Sequence, residues 1–283
     1  MAGYQEEIRL RTLLIDADIL AYQCSAATEQ RIDWGDGVVS RIADFREARR
    51  SARDRIDALV ADLQADNLII CLSDDFDNFR KELYPPYKSH RQRVERPTHL
   101  YDLKEWLSEK YPTRMIRFLE ADDVLGIAAT EPHSGERIIV SEDKDLQTVP
   151  ALLYNPARHI LGVREITPED AERFMLWQAI CGDPTDGYPG CPGSGPAAAD
   201  RLLEGRGWEP YVHVFQRGPR RGTEEVRWRE VEMGRWPAIV SAYRKAGLTE
   251  DDAVVQVNLA RILKHGDFDG KRPIKWVPPR GAN

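Results

Sequence analysis

Four short apolar runs in this chain each end on a carboxylate. Thr12-Leu13-Leu14-Ile15 runs into Asp16, and Asn67 to Leu72 runs into Ser73-Asp74. Met115 to Leu119 runs into Glu120, and Arg137 to Val140 runs into Ser141-Glu142-Asp143. Each run is nearly unbroken and rich in Ile, Val and Leu, the pattern of strands covered on both faces of a parallel sheet. Between them, Ile42 to Leu63 carries Ile56, Leu59, Val60 and Leu63 at helical spacing. His99 to Tyr111 and Asp122 to Thr130 also read as helices, and Ala151 to Tyr154 as a fifth strand. Alternating strand and helix predicts an α/β doubly wound sheet. Such sheets bind ligands beyond the carboxyl ends of their strands, so the acids are predicted to line one edge.

The third run opens into Glu120-Ala121-Asp122-Asp123, three carboxylates in four residues. Like charges this close raise one another's pKa and cost stability. A helix's first turn favours acids through its dipole, and a hard divalent cation takes oxygen ligands; this stretch alone fits both. Asp143 is followed by Lys144-Asp145, two acids two residues apart, with Lys144 as a local charge balance. Phe79 to Arg96 holds Lys or Arg at 80, 81, 88, 91, 93 and 96 against two Glu, interleaved with Tyr84, Tyr87 and His90. Cations that follow phosphates and rings that stack bases suit a single nucleic-acid strand, and a solvated basic loop is the bland alternative.

Beyond the sheet, Pro168 to Cys181 reads as a helix with Gly182 at its C-terminal cap. Gly182 to Pro196 is dense in Gly and Pro and is predicted to be a series of tight turns. A glycine-rich turn running into a helix at Pro196 exposes backbone N–H groups suited to phosphate. Arg217 to Arg229, with five Arg against two Glu, reads as a mobile basic loop. Leu248 to Lys264 reads as a helix with Thr249 as N-cap. The organisational break is predicted near 165–180.

The net charge of −7 argues against a nucleic-acid partner only if the acids are free. Setting nine candidate metal ligands aside turns the balance slightly positive, so local basic patches decide the matter. Cys24, Cys71, Cys181 and Cys191 show no CxxC spacing, which argues against a zinc site or disulfides and for a reducing cytoplasm. No apolar run approaches membrane-spanning length, so no membrane is expected as a partner.

Together these pieces resemble the 5′-nuclease superfamily: flap endonucleases, the 5′ nuclease domain of bacterial DNA polymerase I, and phage 5′→3′ exonucleases. The likeness rests on Asp16 after the first strand and on Asp74 ahead of Phe79-Arg80 and Tyr87-Lys88…Arg91. It rests also on Glu120-Ala121-Asp122-Asp123, on Asp143-Lys144-Asp145, and on Gly182-Asp183-x-x-Asp186 followed by Pro192-Gly193-Ser194-Gly195. The wording Gly182 to Tyr188 and the stretch Ala246 to Leu263 resemble the branch found in short-tailed T-seven-like phages. Ala197 departs from the pattern, since many relatives carry lysine there.

The resemblance implies a PIN-like, mainly parallel sheet flanked by helices over 1–170, with a basic arch at about 79–112. It implies a C-terminal helical, helix-turn-helix-type duplex-binding region over 171–283. It implies 5′→3′ exonuclease chemistry with two Mg²⁺ ions, Mn²⁺ substituting. Asp16, Asp74, Glu120, Asp122 and Asp123 are then expected around the first ion, and Asp143, Asp145, Asp183 and Asp186 around the second. Lys88 and Arg91 are expected on the scissile phosphate and Tyr87 stacked on the terminal base. Arg80, Lys81, Gly190, Gly193, Ser194 and Gly195 are expected on DNA, with a K⁺ ion at the 190–195 turn. The implied partners are duplex DNA with a 5′ end, nick, gap or flap, RNA/DNA hybrids and replication proteins, in a cytoplasm. A structure-specific flap endonuclease, a PIN-type ribonuclease and a nonenzymatic DNA-end binder are the alternatives.

Overall fold

A computed structural model describes residues 10–279, which divide into two compact units. Unit 1 holds the residues up to 79, 93–171 and 262–274; unit 2 holds 80–92, 172–261 and the residues from 275. Most of the basic stretch, 80–92, thus belongs to the second unit, while Arg93 and Arg96 and a late segment belong to the first. The predicted single break near 165–180 marks one of several crossings.

Unit 1 runs β1 (Arg11–Asp16), α1 (Ala17–Ala27), a β2–β3 hairpin (Glu29–Asp33, Val39–Ala43), α2 (Phe45–Asp62) and β4 (Asn67–Leu72). After the short α3 (Phe79–Leu83), which begins on the last residue of this segment, come α4 (Leu100–Lys110), β5 (Thr113–Met115), α5 (Ala121–Thr130), β6 (Glu136–Val140), β7 (Leu152–Tyr154) and β8 (Arg164–Glu165). The six-stranded sheet has the order β5-β4-β1-β6-β7-β8, parallel except for β8. Alternation of side chains in β1 explains the unbroken apolar run. Leu13 and Ile15 face one buried cluster with Leu20, Ile56, Leu103 and Leu107, whereas Leu14 faces another with Val124, Leu125 and Ile139. Both faces are covered, as predicted for a doubly wound sheet. Each fully buried Leu or Ile contributes roughly 1.5–3 kcal/mol.

Three local expectations change. The run Met115 to Leu119 is a strand only to Met115; Phe118 turns at φ +69, and its N–H donates to Asp74 at 2.9 Å instead of to a neighbouring strand. The helix expected from Ile42 starts at Phe45, where the Asp44 carboxylate caps it, because 39–43 pairs with 29–33. The stretch Arg217 to Arg229 is not wholly loop.

Unit 2 holds most of α6 (Pro168–Cys181), then α7 (Pro196–Leu203), an antiparallel hairpin β9 (Arg206–Val214) and β10 (Glu224–Glu232), α8 (Arg235–Lys245) and α9 (Glu250–Ala260). The region is therefore helical with a long hairpin, and Glu224 to Arg229 lies in its second strand. Leu176, Ala179 and Ile180 of α6 pack with Leu202, Ile239, Tyr243 and Val257 in one cluster. The Tyr243 hydroxyl donates to the Ala179 carbonyl at 2.8 Å, so its one polar atom is satisfied inside that core. α9 ends at Ala260, short of the Lys264 expected, because residues from Arg261 leave in an extended conformation. Among the described residues, no helix is long and apolar enough to cross a membrane.

Candidate active site

The sheet order places the acids. The chain starts at the centre in β1, moves outward through β4 and β5, then crosses back to β6 on the other side of β1. The reversal between β1 and β6 is the position where such sheets open a binding crevice. Asp16 pairs in register with Cys71, and Ile15 with Val140, so three strands end level. Asp16, Ser73-Asp74 and Ser141 to Asp143 consequently leave the sheet side by side.

Asp16 is 4% exposed and caps α1, accepting the Ile19 N–H at 3.2 Å. The Ser141 hydroxyl donates to its other oxygen at 2.6 Å and accepts the Asp143 N–H at 3.0 Å, one hydroxyl tying two strand ends together. Burial, then the charge of Asp18, and to a smaller degree that of Asp143, push the Asp16 carboxyl up to about 7 against the pull of Ser141 and Ile19. Asp74 behaves differently. Burial opposes its charge, but the N–H groups of Phe118, Phe76 and Asp77 and the charge of Arg117 hold it below the usual carboxylate range. Asp143 caps a 3-10 turn from Lys144 to Thr148, so the extended backbone stops before Asp145, whose N–H donates to Asp143 at 2.8 Å. Lys144 lies 3.5 Å from Asp145, matching its expected local role.

Glu120 and Asp122 are half-buried at the start of α5. Asp123 is fully buried: one oxygen accepts the Glu120 N–H at 3.3 Å and the other the Leu263 N–H at 3.1 Å. Both oxygens thus anchor backbone, one at the start of α5 and one at Leu263. Two further residues escaped the sequence reading. Lys104 of α4 puts its ammonium 3.0 Å from Asp18 and 2.7 Å from Asp75. Ser73 accepts the Ala121 N–H at 2.8 Å, fixing the start of α5 to the end of β4. A serine at the end of both apolar runs, 73 and 141, was the available signal.

Among the described residues, no three His, Cys, Asp or Glu side chains are gathered tightly enough to grip an ion as they stand. The chemistry nevertheless fits a divalent cation. Asp16 is a buried oxygen donor whose charged neighbours raising its pKa are both acids, and a cation supplies the charge that would relieve them.

In unit 2 the acids have protein partners. Asp183 is buried and accepts the N–H groups of Thr185 at 2.7 Å and Asp186 at 3.3 Å, shaping its own loop. Asp186 accepts from the Tyr87 hydroxyl at 2.9 Å and Arg91 at 2.8 Å, with the Lys88 ammonium at 3.4 Å. Lys88 sits at φ +52, a conformation held by its N–H donating to the Asp186 carbonyl at 2.8 Å. Here both acids organise protein groups instead of presenting an open pair of ligands. Tyr87 is 2% exposed, which overturns its predicted stacking on a base. Arg80, also 2% exposed, donates to the carbonyls of Leu259 at 3.1 Å and Arg261 at 2.7 Å, which overturns its predicted DNA contact.

Lys81 and Arg91 remain exposed. In the glycine-rich turn, Gly190 is buried at φ +66 and donates its N–H to Gln256 at 2.9 Å, so that group is not offered to phosphate. A Cβ there would meet the Gly182 nitrogen at 2.3 Å, which requires glycine. Gly193 and Gly195 are exposed and Ser194 half-buried, just ahead of α7.

Sheet order and an acid-lined carboxyl edge put this chain among α/β enzymes that work at a topological switch point. Residues 11–167 match the family model for the 5′-3′ exonuclease N-terminal resolvase-like domain. The exonuclease of Escherichia phage T7 is 34% identical, over 94% of this chain and 93% of its own. The exodeoxyribonuclease of Enterobacteria phage T3 is 33% identical, over 94% and 92%. The 5′-exonuclease of bacteriophage T5, solved with zinc bound, shares the fold at a TM-score of 0.58 and 17% identity, over 88% of this chain and 89% of that one. This chain belongs to the 5′-3′ exonuclease family and is a hydrolase of the nuclease class.

Proposed function

We propose that the chain degrades duplex DNA from 5′ ends, nicks and gaps, and attacks RNA paired to DNA, using two Mg²⁺ ions for which Mn²⁺ can substitute. The observation that carries this reading is Asp16, a buried carboxyl beside two further acids at the switch point. We assign Asp16, Asp74, Glu120, Asp122, Asp143 and Asp145 to the ions, directly or through water, since Mg²⁺ keeps several of its waters. Bound ions would lower the pKa of a water and stabilise the leaving oxygen. Ser141 and the Phe118 amide hold Asp16 and Asp74 in place.

Lys88 and Arg91 bind the reacting phosphate. Both already rest on the Asp186 carboxylate, so the exchange is one anion for another. Lys81 follows the incoming strand, and the turn Gly193-Ser194-Gly195 holds duplex backbone, contacts that carry no sequence information. Host cytoplasm and replication proteins are the setting we infer. A structure-specific flap endonuclease is the second reading. It is favoured by the flap endonuclease Xni of Shewanella oneidensis, 30% identical over 53% of this chain and 61% of its own. Digestion of 5′-labelled, 3′-labelled, flapped and RNA-containing duplexes, with and without EDTA, tests both. Early release of the 3′ label with the 5′ label retained in long products overturns the polarity, and cleavage in excess EDTA overturns the metal.

A further inference from the structure

A cavity of about 770 Å³ opens at the carboxyl ends of β4 and β5. Its lining includes Leu72, Phe76, Tyr101, Lys104 and Met115. Phe76 is 92% exposed, Met115 62% and Tyr101 50%, three large apolar side chains left to water around one hollow. Open apolar surface in a concave place marks a site of interaction. The Phe76 N–H donates to Asp74 at 3.0 Å, so the backbone carrying this ring is tied to an acid of the reaction edge two residues away. The Arg96 guanidinium lies over the Tyr101 ring, 5.3 Å from its centre. Of the two acids in the lining, Asp75 is matched by the Lys104 ammonium at 2.7 Å, and Glu105 is exposed.

Open rings, a guanidinium resting on one of them, and an acid already neutralised suit a nucleobase with its phosphate. An apolar peptide would use Phe76 and Met115 but would leave the Arg96 guanidinium unanswered. We propose that this cavity holds an unpaired nucleobase of the strand being cut, stacked on Phe76 and Tyr101. The inference rests on the nuclease reading above and adds to it an aromatic subsite beside the acids, to which the basic stretch contributes only Arg96. It gives the enzyme a preference for ends carrying an unpaired nucleotide.

The experiment measures binding, in EDTA, of duplexes with either a blunt end or a short unpaired 5′ end carrying 2-aminopurine. The wild-type protein should bind the unpaired end more tightly and quench its fluorescence. Phe76→Ala and Tyr101→Ala should each weaken that binding about tenfold and relieve the quenching, with blunt duplex unaffected and Phe76→Trp restoring the effect. Both side chains are at least half exposed, and thermal melts establish that the variants fold. Unchanged affinity and quenching, or an equal loss on blunt duplex, overturns the subsite. Unchanged DNA binding accompanied by altered self-association overturns it in favour of a protein partner. Cleavage of 5′-labelled duplex by the wild type in Mg²⁺ is run alongside. Normal cleavage with unchanged variant binding sinks only the cavity, whereas no cleavage at all sinks the nuclease reading with it.

Discussion

The acid edge of unit 1 and the Asp183–Asp186 loop of unit 2 use the same residue type to opposite ends. Asp16 is buried next to Asp18 and Asp143, and its charge is opposed by both. Asp186 is met by a tyrosine hydroxyl, a guanidinium and an ammonium. Carboxylates flanked by cations organise a protein; carboxylates flanked by carboxylates wait for a cation from outside. Sequence motifs treat the nine acids alike, and their neighbours separate them.

The largest expected effect breaks that contrast at its strong end. Asp16→Asn should lower single-turnover hydrolysis of a 5′-labelled duplex by about a hundredfold or more, since even groups that only support metal ligands are worth 10–100-fold. Asp186→Asn should cost about tenfold and show most of its loss as weaker DNA binding. Equal losses, with equal division between binding and rate, would erase the distinction between the two regions.

The second effect concerns pH. The Asp16 carboxyl stands at about 7 in the folded chain against an ordinary value of 3.8. Between those values the native state keeps a proton that the unfolded chain has released, so stability falls as pH rises across that window. In EDTA, the wild type should lose on the order of a few kcal/mol between about pH 4 and pH 7 relative to Asp16→Asn. Above that window, added Mg²⁺ should restore the loss in wild type but not in the variant. Thermal melts along a pH series read both, and parallel curves for the two proteins would remove the case for an unbalanced edge.

A third, smaller effect tests the cation that unit 1 does possess. Lys104→Met should destabilise the fold by about 2 kcal/mol in urea titration, because Asp18 and Asp75 lose a partly buried charged donor. The smallest concerns Tyr87. Tyr87→Phe removes only the hydroxyl on Asp186 and should cost about 1 kcal/mol of stability, with little change in DNA affinity. A large drop in affinity for Tyr87→Ala with none in stability would return Tyr87 to base stacking.

The parallel core was legible because β1, β4 and β6 are apolar on both sides and each ends in a side chain that cannot continue inward. β5 was overread, since Ile116 and Leu119 prolong the apolar run while Asp74 captures the Phe118 amide and turns the chain. The hairpin strand from Glu224 was missed because arginines and glutamates crowd it and little of either face is buried. At the site, Asp16 and Asp74 follow from strand ends alone. The roles of Arg80 and Tyr87 do not, because a basic and aromatic stretch does not reveal which members turn inward. The partners that decide it lie about a hundred residues away or more. Lys104 was hidden for the same reason, as its acids stand at the start of α1 and just past β4 while it rides on α4.

The long-range ties to residues 259–263 have a consequence for synthesis. Arg80 needs the carbonyls of Leu259 and Arg261, and Asp123 needs the Leu263 amide. A ribosome-bound chain that has not yet exposed residues 259–263 therefore has neither the basic stretch anchored nor the start of α5 locked. Because loops of this length must close before those contacts form, each unit should complete its packing late. Until residues 259–263 have emerged, Arg80 and Asp123 lack these partners.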